Sequence, residues 1–311
     1  MVIKQQDSLK IFAPATVANV NCGFDALGFA LEGIGDEMVF RKTTQLGIQI
    51  TAITGATLPM NAKDNVAGIA ANAMLKGIDA DFGIAMEIHK KIRPSSGIGS
   101  SAASAAGAVF GINQFLENSL DHTSLTQYAM EGEAFASGNN HADNVAPCLY
   151  GGITLITSYT PLHIVSLPTP DQVYVGILHP HIKIATKEAR AILPEKIPLT
   201  AAIKQAQYLS GFVTALYQND KTLFERSIND ALVTPYRKQL IPHFDVIQTI
   251  ARSNECFAFG ISGSGPSLFA FAHQKEHITQ YLNAAQSFFT SKNLKVDAYS
   301  SKINSKGCYI L

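Results

Sequence analysis

The sequence predicts an α+β protein made of two lobes with a cleft between them. Its 311 residues exceed the length at which a single hydrophobic core stops growing, so a second core is expected. Strand-like and helix-like patterns interleave along the chain, without an internal repeat. Proline and turn-forming residues concentrate at 166–171, a composition typical of a domain boundary. We therefore predict a first lobe over residues 1–168 and a second lobe over residues 169–311.

The first lobe begins mostly with β structure. Strand composition or apolar–polar alternation marks residues 10–14, 37–42, 47–52 and 83–90. A helix is predicted over residues 65–76, where apolar side chains recur at helical spacing before Gly77. A second amphipathic helix is predicted over residues 123–136, followed by a strand over residues 151–158.

The second lobe is expected to mix strands and helices. Apolar strands are predicted over residues 173–178, 257–259, 268–272 and 295–299. Helical patterns occupy residues 186–193, 201–217, 221–232, 244–253 and 275–290. This order of elements predicts an α+β second lobe.

Composition excludes several classes of protein. The chain has 24 basic and 24 acidic residues, so it lacks the broad positive field that binds nucleic acid or an anionic membrane. The beginning of the sequence does not resemble a secretory signal, and no stretch has the length and apolarity of a membrane span. We therefore expect a cytoplasmic protein with a small-molecule substrate and no nucleic-acid or membrane partner. The sequence leaves a monomer and a homodimer both open.

The most informative segment is a glycine loop followed by a helix of small residues. The loop, PSSGIGSS at residues 94–101, lies between a predicted strand and an alanine-rich run. Gly97 and Gly99 let the backbone approach a ligand, and free N–H groups at the start of the helix attract anions. A glycine pair also fits a plain strand-to-helix turn. Hydroxyls at the first helical turn favour a phosphate site, because they can ligate Mg²⁺ beside a polyphosphate.

Two other phosphate-binding patterns are excluded. The loop satisfies the loose dinucleotide pattern GxGxxA, but the stretch around Glu117 continues polar and helical where that fold needs a strand ending in an acidic residue. A Walker A loop is excluded because the sequence contains no Gly-Lys pair. Backbone dipoles and Mg²⁺ would then have to carry most of the charge neutralisation.

Three ordered segments together resemble the GHMP kinases. They are residues 13–31, which contain PATVAN and GFD, the glycine loop, and residues 259–271, FGISGSGPSLFAF. The sequence HADNVAP at residues 141–147 resembles the members of this family that phosphorylate L-homoserine. The chain departs from the usual family pattern at Asn21 and Cys22, where Gly-Pro is common, and at Ser95, where glycine is common.

The resemblance implies a two-lobed GHMP kinase fold. Its first lobe would resemble domain 2 of ribosomal protein S5, with a left-handed βαβ crossover, and its second lobe would be ferredoxin-like. It also implies transfer of the γ-phosphoryl group of ATP to the hydroxyl of L-homoserine, a step of threonine biosynthesis. The expected nucleotide-binding residues are Arg93, Pro94, Ser95, Ser96, Gly97, Ile98, Gly99, Ser100, Ser101, Ala102 and Ala103.

The resemblance further implies which residues hold the metal and the substrate. Ser101 and Glu133 are the expected Mg²⁺ ligands, although Glu133 by itself would read as a solvated helix carboxylate. An amino-acid substrate needs partners for its carboxylate and its ammonium. Arginine pairs well with carboxylates, and an aspartate supplies the charge that an ammonium requires. The expected substrate residues are Asn19, Asp25, Thr186, Arg190, Arg237 and Gly263.

The expected catalytic residues lie in one turn-rich stretch. We predict that Asn144 positions the reacting hydroxyl and that His141 contacts the substrate, with Asp143 as an alternative general base. Asp143 and Asn144 could instead only cap turns, and Thr186 could be an ordinary helix cap.

Overall fold

The computed structural model describes residues 8–138 and 140–311. The strands are β1 (Ser8–Ala18), β2 (Leu27–Thr43), β3 (Gly47–Thr54), β4 (Gly83–His89), β5 (Ile153–Tyr159), β6 (Leu162–Leu167), β7 (Tyr174–Pro180), β8 (Ala258–Ile261), β9 (Leu268–Ala272), β10 (Val296–Lys302) and β11 (Tyr309–Ile310). The α-helices are α1 (Val66–Gly77), α2 (Ser100–Asn113), α3 (His122–Ser137), α4 (Val145–Tyr150), α5 (Thr186–Ala191), α6 (Leu199–Gln218), α7 (Lys221–Ser227), α8 (Thr234–Arg237), α9 (Phe244–Ser253) and α10 (Lys275–Ser291). Short 3₁₀ helices span Ala62–Asp64 and Lys238–Leu240.

The first sheet has the order β11-β1-β2-β4-β3, with β5 between β2 and β6. β3 and β4 run parallel, and α1 connects them. Helix α2 packs against β1, β2, α1 and α3. Its run of Ala, Ser and Gly leaves nearly every position buried, because small side chains allow close approach on all faces. The helix start is therefore fixed rigidly at the edge of the cleft.

The second sheet has the order β10-β7-β9-β8, and its strands are antiparallel. Helices α9 and α10 pack against it and build a hydrophobic core around Phe259, Tyr281 and Phe289. The order of elements and the order of strands are those of the ferredoxin-like arrangement predicted for the second lobe. The α+β class and the two separate sheets agree with the prediction.

Several elements differ from the sequence-based prediction. β2 is much longer than the predicted strand at residues 37–42, and β6, β11 and α4 were not predicted. The helix predicted over residues 221–232 ends at Ser227. Ile228 leaves the helical conformation, with φ −82° and ψ 66°. The Asp230 carboxylate then accepts hydrogen bonds from the backbone N–H groups of Leu232, Val233 and Thr234 and so holds a turn there.

The last described strand returns to the first sheet. β11 pairs with β1, with Tyr309 opposite Phe12. The boundary between residues 168 and 169 and the left-handedness of the βαβ crossover stay predictions. Among the described residues, no helix combines the length and apolarity needed to cross a membrane.

Candidate active site

A cleft of about 730 Å³ lies where loops of both lobes meet. One side is formed by Lys90, the glycine loop and the start of α2. The other side is formed by residues 183–190 and 263–265 of the second lobe. Most of the residues that the sequence predicted for ATP, substrate and catalysis line this cleft.

The glycine loop connects β4 to α2 in a conformation that requires glycine. Gly97 has φ +84° and Gly99 has φ +69°, both in the left-handed region. A Cβ at Gly97 would lie 2.5 Å from the carbonyl oxygen of Gly265, so the loop has no room for a side chain there. Gly99 precedes α2 and has no side chain to cap it, which leaves the first backbone N–H groups of the helix available to an anion.

The third family-like segment supports the glycine loop from the second lobe. The Ser262 hydroxyl donates to the carbonyl oxygen of Gly97 at 2.7 Å. The Ser267 hydroxyl donates to the carbonyl oxygen of Ser96 at 2.6 Å. These two hydrogen bonds hold the carbonyl groups of the loop from the second lobe. The N–H groups of the loop are thereby preorganised.

A buried ion pair holds the same loop from the first lobe. Lys90 donates to the carboxylate of Asp36 and to the carbonyl oxygen of Ser100, the latter at 2.8 Å. The other carboxylate oxygen of Asp36 accepts the N–H groups of Lys91 and Ile92. Because Asp36 neutralises Lys90, this lysine braces the loop and adds little net charge for a phosphate.

The predicted nucleotide-binding residues divide into two groups. Those that line the cleft are Pro94, Ser95, Ser96, Gly97, Gly99, Ser100 and Ser101. The remaining members do not line it: Arg93 pairs with Asp297 at 3.1 Å, and Ile98, Ala102 and Ala103 are buried in the core of the first lobe. The three buried residues support the loop through packing.

Ser101 and Glu133 face each other in the cleft, beside the start of α2. Burial raises the pKa of the Glu133 carboxyl, and a hydrogen bond from the Ser101 hydroxyl partly opposes this shift. Ser100 is engaged elsewhere, since its hydroxyl donates to the carbonyl oxygen of Ile92. A cation beside Glu133 would offset the cost of burying its charge, and hydroxyl and carboxylate oxygens are ligands that Mg²⁺ accepts.

The described residues contain no cluster of three or more His, Cys, Asp or Glu side chains able to hold a metal ion. A cation at Ser101 and Glu133 would therefore need most of its ligands from phosphate oxygens and water. Such a shared site is what Mg²⁺ forms with nucleotides.

A charged cluster, made of Asp25, His141, Asp143, Arg190 and Arg237, also lines the cleft. Arg190 makes a bidentate ion pair with Asp25, with N–O distances of 2.8 and 2.9 Å. Both side chains are about one-quarter to one-third exposed, at 25% for Asp25 and 35% for Arg190. The two residues expected to bind opposite ends of an amino acid are thus paired with each other in the structure.

Arg237 is almost fully buried beside this pair. Its guanidinium donates to the carbonyl oxygens of Ala189 and Gly263, each at 2.9 Å. Arg190 and Arg237 both lie over the ring of Phe24, with guanidinium-to-centroid distances of 5.0 and 5.2 Å. The aromatic ring therefore holds two positive groups close together despite their repulsion.

Asn19 links the first lobe to the second at the base of the charged cluster. Its amide N–H₂ donates to the carbonyl oxygen of Gly263 at 2.9 Å, and its amide oxygen accepts the backbone N–H of Asp25 at 3.0 Å. Asn19 and Asp25 have φ values of +71° and +57°, in the left-handed region that asparagine and aspartate tolerate best among residues with side chains. Asn19 therefore positions Asp25 and Gly263 relative to each other.

His141 and Asp143 have opposite pKa shifts. Burial lowers the pKa of His141, and the nearby Arg190 adds to this effect, while Asp25 opposes it. Nε2 of His141 lies 2.9 Å from an Arg190 nitrogen, which fits a neutral imidazole that accepts this hydrogen bond. Burial, followed by repulsion from Asp25 and Glu133, raises the pKa of Asp143 to about 7.

Asn144 and Thr186 occupy the centre of the cleft from opposite lobes. Asn144 directly precedes α4, and Thr186 is the first residue of α5. Ala185 occupies the cap position of α5, so Thr186 is not its N-cap residue. The Thr186 hydroxyl lies 3.5 Å from the hydroxyl of Ser264 in the third family-like segment.

The sequence analysis did not single out Thr16 or Tyr159, although both contact site residues. The Tyr159 hydroxyl donates to the backbone carbonyl oxygen of Asp25 at 3.0 Å and accepts the N–H of Ala142 at 3.2 Å. Thr16 bonds to Asn144. Thr16 lies within PATVAN, which could have drawn attention to it. Nothing local distinguishes Tyr159, because its partners are distant in sequence.

Comparison with protein families gives two matches. Residues 65–152 match the model of the GHMP kinases N terminal domain, and residues 212–291 match the model of the GHMP kinases C terminal domain. The first match contains the glycine loop, Glu133 and Asn144. The second contains Arg237 and the third family-like segment.

Curated relatives match over nearly their full length. A homoserine kinase of Chlorobium phaeobacteroides (strain BS1) is 37% identical and is aligned over 96% of this chain and 98% of its own. A homoserine kinase of Methanococcus vannielii is 37% identical, with 97% of this chain and 98% of its own aligned.

Solved structures show the same fold. The crystal structure of a homoserine kinase from Cytophaga hutchinsonii is 44% identical, has a TM-score of 0.94, and is matched over 99% of this chain and 98% of its own. A mevalonate kinase from L. major, in complex with R-mevalonate, is 16% identical, has a TM-score of 0.73, and is matched over 97% of this chain and 99% of its own. At that identity the second similarity concerns the fold alone.

Proposed function

This chain belongs to the GHMP kinase family, and we propose that it transfers the γ-phosphoryl group of ATP to the side-chain hydroxyl of L-homoserine. The products are O-phospho-L-homoserine and ADP. The observation that carries the choice of substrate is the Asp25–Arg190 pair, which offers one negative and one positive partner beside the phosphate-binding end of the cleft. The names of the closely similar full-length relatives support the same substrate.

ATP is expected to bind with its phosphates at the glycine loop. The N–H groups at the start of α2 and the positive end of the helix dipole supply donors for phosphate oxygens. The supports from Ser262, Ser267 and Lys90 keep these donors in place before the nucleotide arrives. Binding then requires little reorganisation of the loop.

We propose that Mg²⁺ is held by Ser101 and Glu133 together with phosphate oxygens. When bound, the ion neutralises charge on the β- and γ-phosphates. Burial raises the pKa of Glu133, and a nearby cation would oppose this shift because it favours the ionised carboxylate. This compensation supports the proposed position of the ion.

Binding of the amino-acid substrate would open the ion pair between Asp25 and Arg190, and the charged groups of the substrate would replace each partner. A zwitterion carries an ammonium for Asp25 and a carboxylate for Arg190, so both charges keep a partner when the pair opens. Arg237, which lies over the same Phe24 ring as Arg190, adds a second positive charge for the carboxylate. Asn19, Thr186 and Gly263 complete the proposed substrate site. An alcohol without an ammonium would leave Asp25 with only its original partner.

The transfer step needs an aligned hydroxyl and an acceptor for its proton. The hydroxyl oxygen forms a bond to Pγ, while the bond from Pγ to the β,γ-bridging oxygen breaks and its electron pair leaves with ADP. We propose that Asn144 holds the hydroxyl, that His141 contacts the substrate beside Arg190, and that Asp143 takes the hydroxyl proton. A pKa of about 7 suits Asp143 to this role near neutral pH.

A comparison of substrates tests the proposal. ADP release is measured with ATP and L-homoserine, mevalonate or galactose under matched conditions. We expect rapid release with L-homoserine and release near the background rate with the other two. Preference for mevalonate, or ATP binding without ADP release for any of the three, would contradict the proposal.

A pH profile tests the role of Asp143. A carboxyl with a raised pKa is protonated below about pH 7, so it becomes a competent base only as the pH rises. We expect kcat/KM for L-homoserine to fall about tenfold per pH unit below that point. Asp143→Asn should lower kcat and remove this limb, whereas Asp245→Asn, an exposed control, should keep it. If kcat/KM of Asp143→Asn still falls below about pH 7 as in the unaltered enzyme, the proton goes to another acceptor.

We also propose a cytoplasmic location for this enzyme. The choice between monomer and homodimer stays open.

A further inference from the structure

A hydroxyl–amide contact lies directly beneath the glycine loop. Thr16 is a residue of β1 with no solvent-exposed surface, and its hydroxyl donates to Oδ1 of Asn144 at 2.8 Å. The two residues are 128 positions apart in the sequence. This contact therefore joins the first strand of the protein to the residue proposed to hold the reacting hydroxyl.

The glycine loop packs closely against this contact. The backbone N–H of Thr16 donates to the carbonyl oxygen of Ile98 at 3.1 Å, which ties β1 to the loop. A Cβ at Gly99 would lie 2.0 Å from the Thr16 hydroxyl and 3.1 Å from Oδ1 of Asn144. The hydroxyl, the amide and the loop backbone are thus in close contact.

Packing alone does not require a hydroxyl at this position. Threonine and valine have nearly the same shape, and a buried polar group lowers stability unless it has a hydrogen-bond partner. The partner here is a residue that lines the cleft. The hydroxyl therefore has a role in addition to filling space.

An asparagine amide has an accepting end and a donating end. Because the Thr16 hydroxyl occupies the accepting Oδ1, the donating Nδ2 group is left for the cleft. We propose that Thr16 is a positioning residue, which orients the Asn144 amide so that its NH₂ group faces the reacting hydroxyl and the γ-phosphate oxygens. This inference rests on the proposed kinase function and refines the role of Asn144 in it.

The orientation decides what Asn144 can do in the reaction. An NH₂ group can hold the hydroxyl oxygen by one lone pair and can donate to a γ-phosphate oxygen as negative charge builds up there. It cannot accept the hydroxyl proton. The proton must therefore leave to a separate acceptor, the role proposed above for the Asp143 carboxylate.

Two substitutions of Thr16 separate orientation from packing. Thr16→Val removes the hydroxyl and keeps the shape, and we expect kcat to fall by about 10- to 100-fold with KM for ATP and for L-homoserine within about threefold. Thr16→Ser keeps the hydroxyl and should restore kcat to within about threefold. Thr126→Val is the matched control, because Thr126 is equally buried but its hydroxyl bonds to the carbonyl oxygen of His122 in α3.

A double-mutant cycle tests whether Thr16 acts through Asn144. We expect Thr16→Val to cause no further loss of kcat in an Asn144→Ala background, since the amide that Thr16 orients is then absent. Asn144→Asp keeps an oxygen for Thr16 but presents no donor to the cleft, and it should lose as much kcat as Asn144→Ala.

Several results would overturn the inference. They are an unchanged kcat in folded Thr16→Val, additive losses in the cycle, or substantial activity in Asn144→Asp. If Thr16→Val does not fold, the Thr16→Ser and Asn144→Asp results decide. Failure of the unaltered enzyme to phosphorylate L-homoserine would instead overturn the proposed function.

Discussion

The glycine loop and the charged cluster line different parts of one cleft and are assembled in different ways. The loop uses consecutive residues, and the groups proposed to bind phosphate are backbone N–H groups at the start of α2. The charged cluster uses side chains from distant segments, such as Asp25, His141 and Arg190. A site made of backbone is specified by local sequence, whereas a site made of side chains depends on how the lobes pack. The glycine loop and the charged cluster should therefore respond differently to substitution.

The largest expected effect concerns Gly99. Gly99→Ala would place a Cβ 2.0 Å from the Thr16 hydroxyl at a φ of +69°, which would displace the loop and the Asn144 contact together. We expect kcat/KM for both ATP and L-homoserine to fall by at least about 100-fold, because small displacements of positioning groups strongly reduce rates. ADP release and thermal unfolding are the measurements.

Gly33→Ala is the matched control for Gly99→Ala. Gly33 has a φ of +70°, but a Cβ there would have no neighbour within 4 Å. Both substitutions incur the cost of a left-handed backbone, about 1 kcal/mol, and only Gly99→Ala should lose activity. Equal activity in the two variants would show that close packing of the loop is not required.

A smaller effect, limited to one substrate, is expected at Arg190. Arg190→Lys keeps the charge but loses the planar fork that pairs with a carboxylate. We expect kcat/KM for L-homoserine to fall about 100-fold while KM for ATP changes little, as measured by ADP release at varied concentrations of each substrate. Arg41→Lys, in an exposed pair with Glu87, should change neither value. A parallel loss of ATP affinity in Arg190→Lys would show that the glycine loop and the charged cluster do not act separately.

The smallest expected effect is at Tyr159. Tyr159→Phe removes the hydroxyl that joins the backbone of Asp25 to that of Ala142. Loss of these two hydrogen bonds, together about 1 kcal/mol at this exposed side chain, should raise KM for L-homoserine about fivefold with kcat and KM for ATP nearly unchanged. Steady-state kinetics of this variant and of Tyr217→Phe, an exposed control, are the measurements. An effect on kcat alone would place Tyr159 closer to the chemistry than to substrate binding.

Sequence reasoning was most successful where structure is local. The helix of small residues, the glycine loop before it and the α+β class follow from short-range patterns, and the structure agrees with them. It was less successful at element ends. Helix α7 ends at Ser227, and the Asp230 carboxylate accepts the N–H groups of Val233 and Thr234 in the turn that follows, a competition that helical periodicity does not reveal. Strand β11 could not be predicted, since two residues become a strand only by pairing with β1.

The sequence by itself determined the glycine loop, the family-like segments and the residue types available for binding and catalysis. Their specificity is local, because glycine conformation and helix N-termini depend on neighbouring residues. Only the tertiary structure decided that Arg190 pairs with Asp25, that Thr16 bonds to Asn144, and that Asp143 has a raised pKa. These properties depend on distance and burial, and the folded chain brings together charges and hydrogen-bonding groups that the sequence separates by more than 100 positions.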